Sequence, residues 1–170
     1  MIAPHELRLF LALWPAPATL VELQQHADKW IWPAQARRTR SERLHVTLHF
    51  IGNVPDSQVL HLCKGLAVPW PGDTLVLDRP TVWRGGIAVL EAAAVPPALA
   101  ALHEELGRRL HALDLPVETR PYRPHVTLAR KAVGAEPPAS ARVVWQAGPR
   151  FALVRTVGGG RGYETLQCFG

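Results

Sequence analysis

The tetrapeptide His45-Val46-Thr47-Leu48 recurs intact as His125-Val126-Thr127-Leu128. One His-x-Thr alone is as easily the polar edge of an amphipathic strand. An identical pair, one copy in each half, is what an internal duplication leaves when the repeated residues carry the function. In a β-strand, residues i and i+2 share a face about 6.6 Å apart. His45 and Thr47 therefore project together, as do His125 and Thr127, while Val46, Leu48, Val126 and Leu128 turn to the core. If the halves pack with twofold pseudo-symmetry, two imidazoles and two hydroxyls converge on one cleft. That set suits in-line attack at phosphorus: one imidazole takes a proton from the attacking water and the other protonates the departing oxygen. A free pKa near 6.5 fits imidazole to either role. Hydroxyl donors and an arginine can stabilise the non-bridging oxygens.

His45 and His49 also invite a zinc reading. On a helix that spacing puts both on one face, but on a strand it separates them by about 13 Å, too far for two ligands of one ion. The β-branched Val46 and Thr47 favour the strand, and no HExxH glutamate is present. No metal and no cofactor is expected. His5, His26, His61, His103 and His111 have no motif context and read as surface or helix-face residues.

The elements that must position the motifs follow from periodicity. Leu7, Leu9, Leu11 and Leu13 alternate with Arg8, Phe10 and Ala12, predicting a first strand with one strongly apolar face. Leu20, Leu23, Ala27 and Trp30 fall at helical spacing behind Pro17 and Thr19. Trp32 to Arg43 is polar and basic and reads as a loop. His45 to Ile51 reads as a strand ended by Gly52-Asn53 and Pro55. A helix is expected from Ser57 to Leu66, then strands over Thr74 to Leu77 and Thr81 to Leu90, the latter broken at Gly85-Gly86. Leu99, Leu102, Leu106, Leu110 and Leu113 form the stripe of a helix opened by Pro97. Further strands are expected at Val126 to Ala129, Val143 to Trp145, Phe151 to Val157 and Tyr163 to Phe169, the last two joined by a glycine-rich turn. The strand–helix–strand order runs twice, which predicts an α+β fold of two similar lobes.

The 170 residues, 48% hydrophobic and 19% charged, suit one folded domain, residues 1–170, and not a disordered chain. No apolar run approaches the roughly 18 residues of a membrane span. Cys63 and Cys168 lie in no spaced motif, which excludes a disulfide scaffold. Leu9 to Trp14 before Pro15-Ala16-Pro17-Ala18 mimics a short signal peptide, but the apolar core is too short and lacks a basic leader. A cytoplasmic protein is expected. The net charge is +5, with 16 Arg against 3 Lys. Arginine's planar fork suits phosphate, although a GC-rich genome produces the same bias, so local placement must decide.

Around its two motifs the chain resembles the two-histidine (2H) phosphoesterase superfamily. More specifically, it resembles the bacterial and archaeal RNA 2′,3′-cyclic phosphodiesterases once named 2′-5′ RNA ligases. Leu44 to Gly52 matches the first motif region and Arg120 to Arg130 the second. Arg8 to Leu13 and Gly162 to Leu166 resemble the opening and closing strands. The resemblance implies a bilobal α+β fold with pseudo-twofold symmetry, two antiparallel β-sheets lining a central groove and helices outside. It implies metal-independent opening of 2′,3′-cyclic phosphates to 2′-phosphates, with slow reversible 2′-5′ joining in some members. His45 would be the general acid and His125 the general base. Thr47, Thr127 and Arg130 would hold the phosphate, and Phe50 would lie against a base or ribose. Strict alternation, however, puts Arg130 and Phe50 on the face opposite the histidines, so both roles require a bend. The expected partner is RNA with a 2′,3′-cyclic phosphate end, or a small 2′,3′-cyclic nucleotide, acted on by a monomer away from membranes. The alternatives are another small cyclic phosphate, such as an ADP-ribose derivative, or a non-catalytic RNA-end binder. The chain departs from the family pattern at Pro33 to Arg43, where four arginines form either a solvated loop or a basic lip guiding RNA.

Overall fold

The computed structural model describes residues 5–170. In chain order the elements are β1 (Glu6–Leu13), α1 (Pro17–Asp28), β2 (Arg37–Arg38), β3 (Val46–Pro55), α2 (Val59–Gly65), β4 (Asp73–Leu77), β5 (Arg79–Trp83) and β6 (Ile87–Glu91). There follow α3 (Pro97–Ala112), β7 (His125–Arg130), β8 (Val143–Ala147), β9 (Phe151–Val157) and β10 (Gly162–Phe169). Two antiparallel sheets form. The larger runs β10-β9-β1-β3-β7-β6-β5, with β2 added to β7, and the smaller is β4-β8.

The larger sheet consists of two wings. β10, β9, β1 and β3 make one; β7, β6, β5 and β2 make the other. They join through a single strand pair, Val46 with Val126. Because that pair is antiparallel, the chain runs from Val46 back to His45 as it runs from Val126 on to Thr127. The repeated tetrapeptides therefore meet at the seam of the two lobes. Val46, Leu48, Val126 and Leu128 are buried in one cluster with Leu99, Leu102, Leu106 and Leu110 of α3. The helical layer thus covers the face opposite the histidines, and α1 packs on β8.

Four differences from the sequence reading have physical causes. First, β1 is buried on both faces from Leu9 to Leu13. Phe10 and Ala12 form a second small cluster with Ala152 and Val154, flanked by Trp14 and Tyr163. Second, β3 does not stop at Gly52-Asn53 but runs to Pro55. Pairing with β1 absorbs the glycine as a bulge: Leu9 faces Gly52 and Phe10 faces Phe50, leaving Ile51 extra. Gly52 has φ +91°, a conformation that L side chains rarely adopt. Third, the Arg37–Arg43 segment is not a free loop. Arg37 and Arg38 pair with Arg130 and Ala129, and Ser41–Arg43 is a 3₁₀ turn. Fourth, His26 is a helix-face residue, but that face of α1 is buried; its Nε2 accepts a 2.9 Å hydrogen bond from Trp30 Nε1. Acceptance requires neutral imidazole, and burial lowers the His26 pKa to about 4. Among the described residues no helix is long and apolar enough to cross a membrane.

Candidate active site

Bulges at one matched position reconcile the motif with its alternation problem. β1 pairs Leu11 with His49 and Ala12 with Thr47, so Leu48 is the extra residue. β6 pairs Ala88 with Ala129 and Val89 with Thr127, so Leu128 is the extra residue. An extra residue shifts the two-residue alternation by one. Phe50 and Arg130 are thereby turned onto the face that carries the histidines, and all of His45, Thr47, Phe50, His125, Thr127 and Arg130 line one groove of about 1380 Å³. Burial along Leu44–Phe50 and Pro124–Arg130 follows the same sequence, ending on an exposed residue in each copy.

The imidazoles are held alike. His45 Nδ1 lies 2.7 Å from the Arg43 carbonyl and His125 Nδ1 lies 2.7 Å from the Arg123 carbonyl. A carbonyl only accepts, so each Nδ1 carries the proton and each neutral ring keeps its lone pair on Nε2. His45 Nε2 is 3.1 Å from Thr47 Oγ1.

The surroundings differ. Phe10, Trp14 and Tyr163 enclose His45 at centroid distances of 5.1, 5.2 and 5.4 Å. The Arg43 guanidinium covers the Tyr163 ring at 4.5 Å and donates to the Gly160 and Arg161 carbonyls. His125 leans on Trp83 at 4.4 Å, and Arg123 covers that indole at 4.6 Å. Arg123 is further clamped by Glu91, with Nε to Oε2 at 3.0 Å and Nη2 to Oε1 at 2.9 Å. The Glu91 side chain is only 5% exposed, and Glu91 is the cross-strand partner of His125.

Burial lowers the pKa of both histidines. At His45 the Arg43 carbonyl opposes this, while the charges of His125 and Arg43 add to it. At His125 the Arg123 carbonyl and the Glu91 carboxylate oppose burial, and Arg123 and Arg130 reinforce it. The free site thus favours neutral imidazoles more than water does.

Alternation alone brought His45, Thr47, His125 and Thr127 together, and only the family resemblance pointed to Phe50 and Arg130; the supports of all six were missed. The arginines had a signal: the repeat extends backward, since Arg43-Leu44-His45 is mirrored by Arg123-Pro124-His125. Glu91, Trp83, Trp14 and Tyr163 had none, because only sheet pairing brings them to the histidines. His49 leaves the site altogether. It is buried behind β3, stacked on His103 at 4.0 Å with Nε2 2.8 Å from the His103 carbonyl. Gly107 of α3 lies against it: a Cβ there would stand 3.4 Å from the His49 ring. His103 stacks in turn on Tyr122 at 3.9 Å, and Tyr122 Oη donates to the Thr47 carbonyl at 3.1 Å. Among the described residues no three His, Cys, Asp or Glu side chains gather as a metal site.

The model of the 2′-5′ RNA ligase superfamily matches residues 12–157. The RNA 2′,3′-cyclic phosphodiesterase of Escherichia coli (strain K12) is 33% identical over 129 residues, 74% of this chain and 72% of that protein. The crystal structure of E. coli LigT complexed with 3′-AMP superimposes with a TM-score of 0.81 at 25% identity, covering 97% of this chain and 98% of the other. TT0787 of Thermus thermophilus gives a TM-score of 0.70 at 25% identity, covering 95% and 96%.

Proposed function

The chain belongs to the 2′-5′ RNA ligase superfamily, and from that premise we propose that it hydrolyses 2′,3′-cyclic phosphate ends of RNA to 2′-phosphates without a metal. The observation that carries this reading is the matched pair of histidines on one groove, each with Nδ1 tied to the carbonyl two residues before it. Both rings thereby keep Nε2 for proton transfer.

In the proposed reaction neutral His125 removes a proton from water as the water oxygen bonds to phosphorus. The bond from phosphorus to the 3′-oxygen breaks, and that oxygen takes the proton from the Nε2 of protonated His45. The product carries a 2′-phosphate and a 3′-hydroxyl; proton exchange with solvent resets both rings. Lowered basicity suits both roles, since it keeps His125 neutral and makes His45 a stronger acid. Thr47 and Thr127 donate to non-bridging oxygens and Arg130 balances their charge. Phe50, 51% exposed, offers its ring to a base or ribose. The reading includes action as a monomer in the cytoplasm, where the free thiols of Cys63 and Cys168 fit a reducing compartment.

The test is product analysis on 2′,3′-cyclic-phosphate-ended RNA beside 2′,3′-cyclic AMP and an ADP-ribose cyclic phosphate, with and without a chelator. RNA ends opened to 2′-phosphate, undiminished by chelation, support the reading. A folded protein that binds these substrates without turnover is an RNA-end binder instead. Loss on chelation with recovery on adding a divalent ion ends the metal-free mechanism.

A further inference from the structure

The four arginines of the segment before the first motif divide into two kinds. Arg38 is committed to the fold: it pairs with Asp28 at 2.5 Å and sits 5.9 Å from the Trp32 ring. Arg43 is committed to Tyr163 and the carbonyls of the β9–β10 turn. Arg37 and Arg40 are exposed, line the groove and make no ion pair among the described residues. Arg130 at the end of the facing strand and Lys131 just after it share that condition.

Their placement is enforced. Arg37 is the direct cross-strand partner of Arg130, and the Thr39 N–H donates at 2.8 Å to the carbonyl of the bulged Leu128. Strand pairing therefore seats one cation opposite another. Like charges so placed repel. The sole carboxylate along the groove among the described residues is Glu6, and it accepts from Asn53, which lies on the far stretch of β3. A backbone that fixes like charges side by side in a cleft, with no internal counter-ion, is matched to an external anion. The groove volume also exceeds the roughly 300–1000 Å³ of small-molecule pockets.

We propose that Arg37, with Arg40 and Lys131, forms a second phosphate site beside Arg130 that takes the phosphodiester 5′ to the reacting nucleotide. The preferred substrate is then an RNA chain of two or more nucleotides and not a mononucleotide. This rests on the cyclic phosphodiesterase reading above, and its test is separable from it.

The experiment compares 2′,3′-cyclic AMP with a cyclic-phosphate-ended tetranucleotide, using the wild type, the double variant Arg37→Gln/Arg40→Gln and the charge control Arg108→Gln on α3. The wild type is expected to have a KM about tenfold lower for the tetranucleotide. Its dependence of log(kcat/KM) on log salt should be steeper there by about 0.7 for each added phosphate contacted. The double variant should raise the tetranucleotide KM about tenfold and flatten that slope, keep kcat, and shift mononucleotide KM less than twofold. Arg108→Gln should change neither. Equal KM and salt slope for both substrates in the wild type, or a variant that weakens both alike, overturns the second site. If the folded wild type turns over neither substrate, the function reading fails. Fluorescence anisotropy of a 2′-phosphate-ended tetranucleotide then still decides the site: weakened binding in the double variant supports it and unchanged binding overturns it.

Discussion

The two motif strands share a backbone and differ in what stands behind it. In both, the imidazole is tied by Nδ1 to the carbonyl of an arginine two residues earlier, and a bulge at the fourth motif residue turns the sixth onto the groove. Both arginines lie over an aromatic ring that itself packs on the histidine. The supports then diverge. His45 is walled by aromatic rings, and its arginine is held by carbonyls. His125 sits by one indole, and its arginine is held by a buried carboxylate. Reaction geometry is set by the shared features and by short-range hydrogen bonds, whereas scaffolding tolerates any packing that delivers them. The difference is electrostatic: the second motif has a neutralising anion and the first does not.

The largest effect should test the shared features. His45→Ala and His125→Ala are each expected to lower kcat by roughly 1000-fold, within the range of a positioned acid or base, and the double variant should be scarcely worse. Single-turnover kinetics on folded protein checks this. A large loss at only one histidine would break the equivalence of the two strands. Thr47→Ala and Thr127→Ala should each cost about 2–3 kcal/mol of transition-state stabilisation, by analogy with losing one oxyanion donor.

The supports should separate the strands next. Glu91→Gln removes the charge of a buried carboxylate that takes two hydrogen bonds from the half-exposed Arg123, and is expected to cost about 1–3 kcal/mol of stability by denaturant titration. Arg43→Ala breaks no ion pair and should cost less than about 1 kcal/mol. Equal costs would mean that the carboxylate is not what distinguishes the second motif.

The smallest effects are shifts along the pH axis. Both histidines are depressed below 6.5 in the free protein, so the bell of kcat/KM should peak below pH 6.5. Bound phosphate favours imidazolium, so the bell of kcat should lie higher. The Glu91 carboxylate raises the His125 pKa; Glu91→Gln therefore moves the limb set by the base to lower pH. The Arg43 charge lowers the His45 pKa; Arg43→Ala therefore moves the limb set by the acid to higher pH. Opposite limbs moving would assign base and acid to His125 and His45, and the reverse pattern would exchange their roles.

The local part of this protein was written in the chain. The leucine stripe of α3 from Leu99 to Leu110, the helical spacing of Leu23 and Ala27 and the alternation through His45–Leu48 and His125–Leu128 all depend on neighbours within a few residues, and all stand in the structure. The identical tetrapeptides marked four groove residues for the same reason, since i and i+2 share a face whatever the strand pairs with.

What only the tertiary structure decided is everything that depends on register. Whether Phe50 and Arg130 face the groove is set by bulges against β1 and β6, and no local pattern encodes the count of residues on a partner strand. Which arginines before the first motif are free follows from the pairing of β2 with β7 and from the distant Asp28 and Tyr163. Glu91 reaches His125 because β6 and β7 are antiparallel neighbours at one register. The chain supplies the side chains; cross-strand alignment decides which of them share an electrostatic environment, because charges and donors act over a few ångströms of space and not over sequence distance.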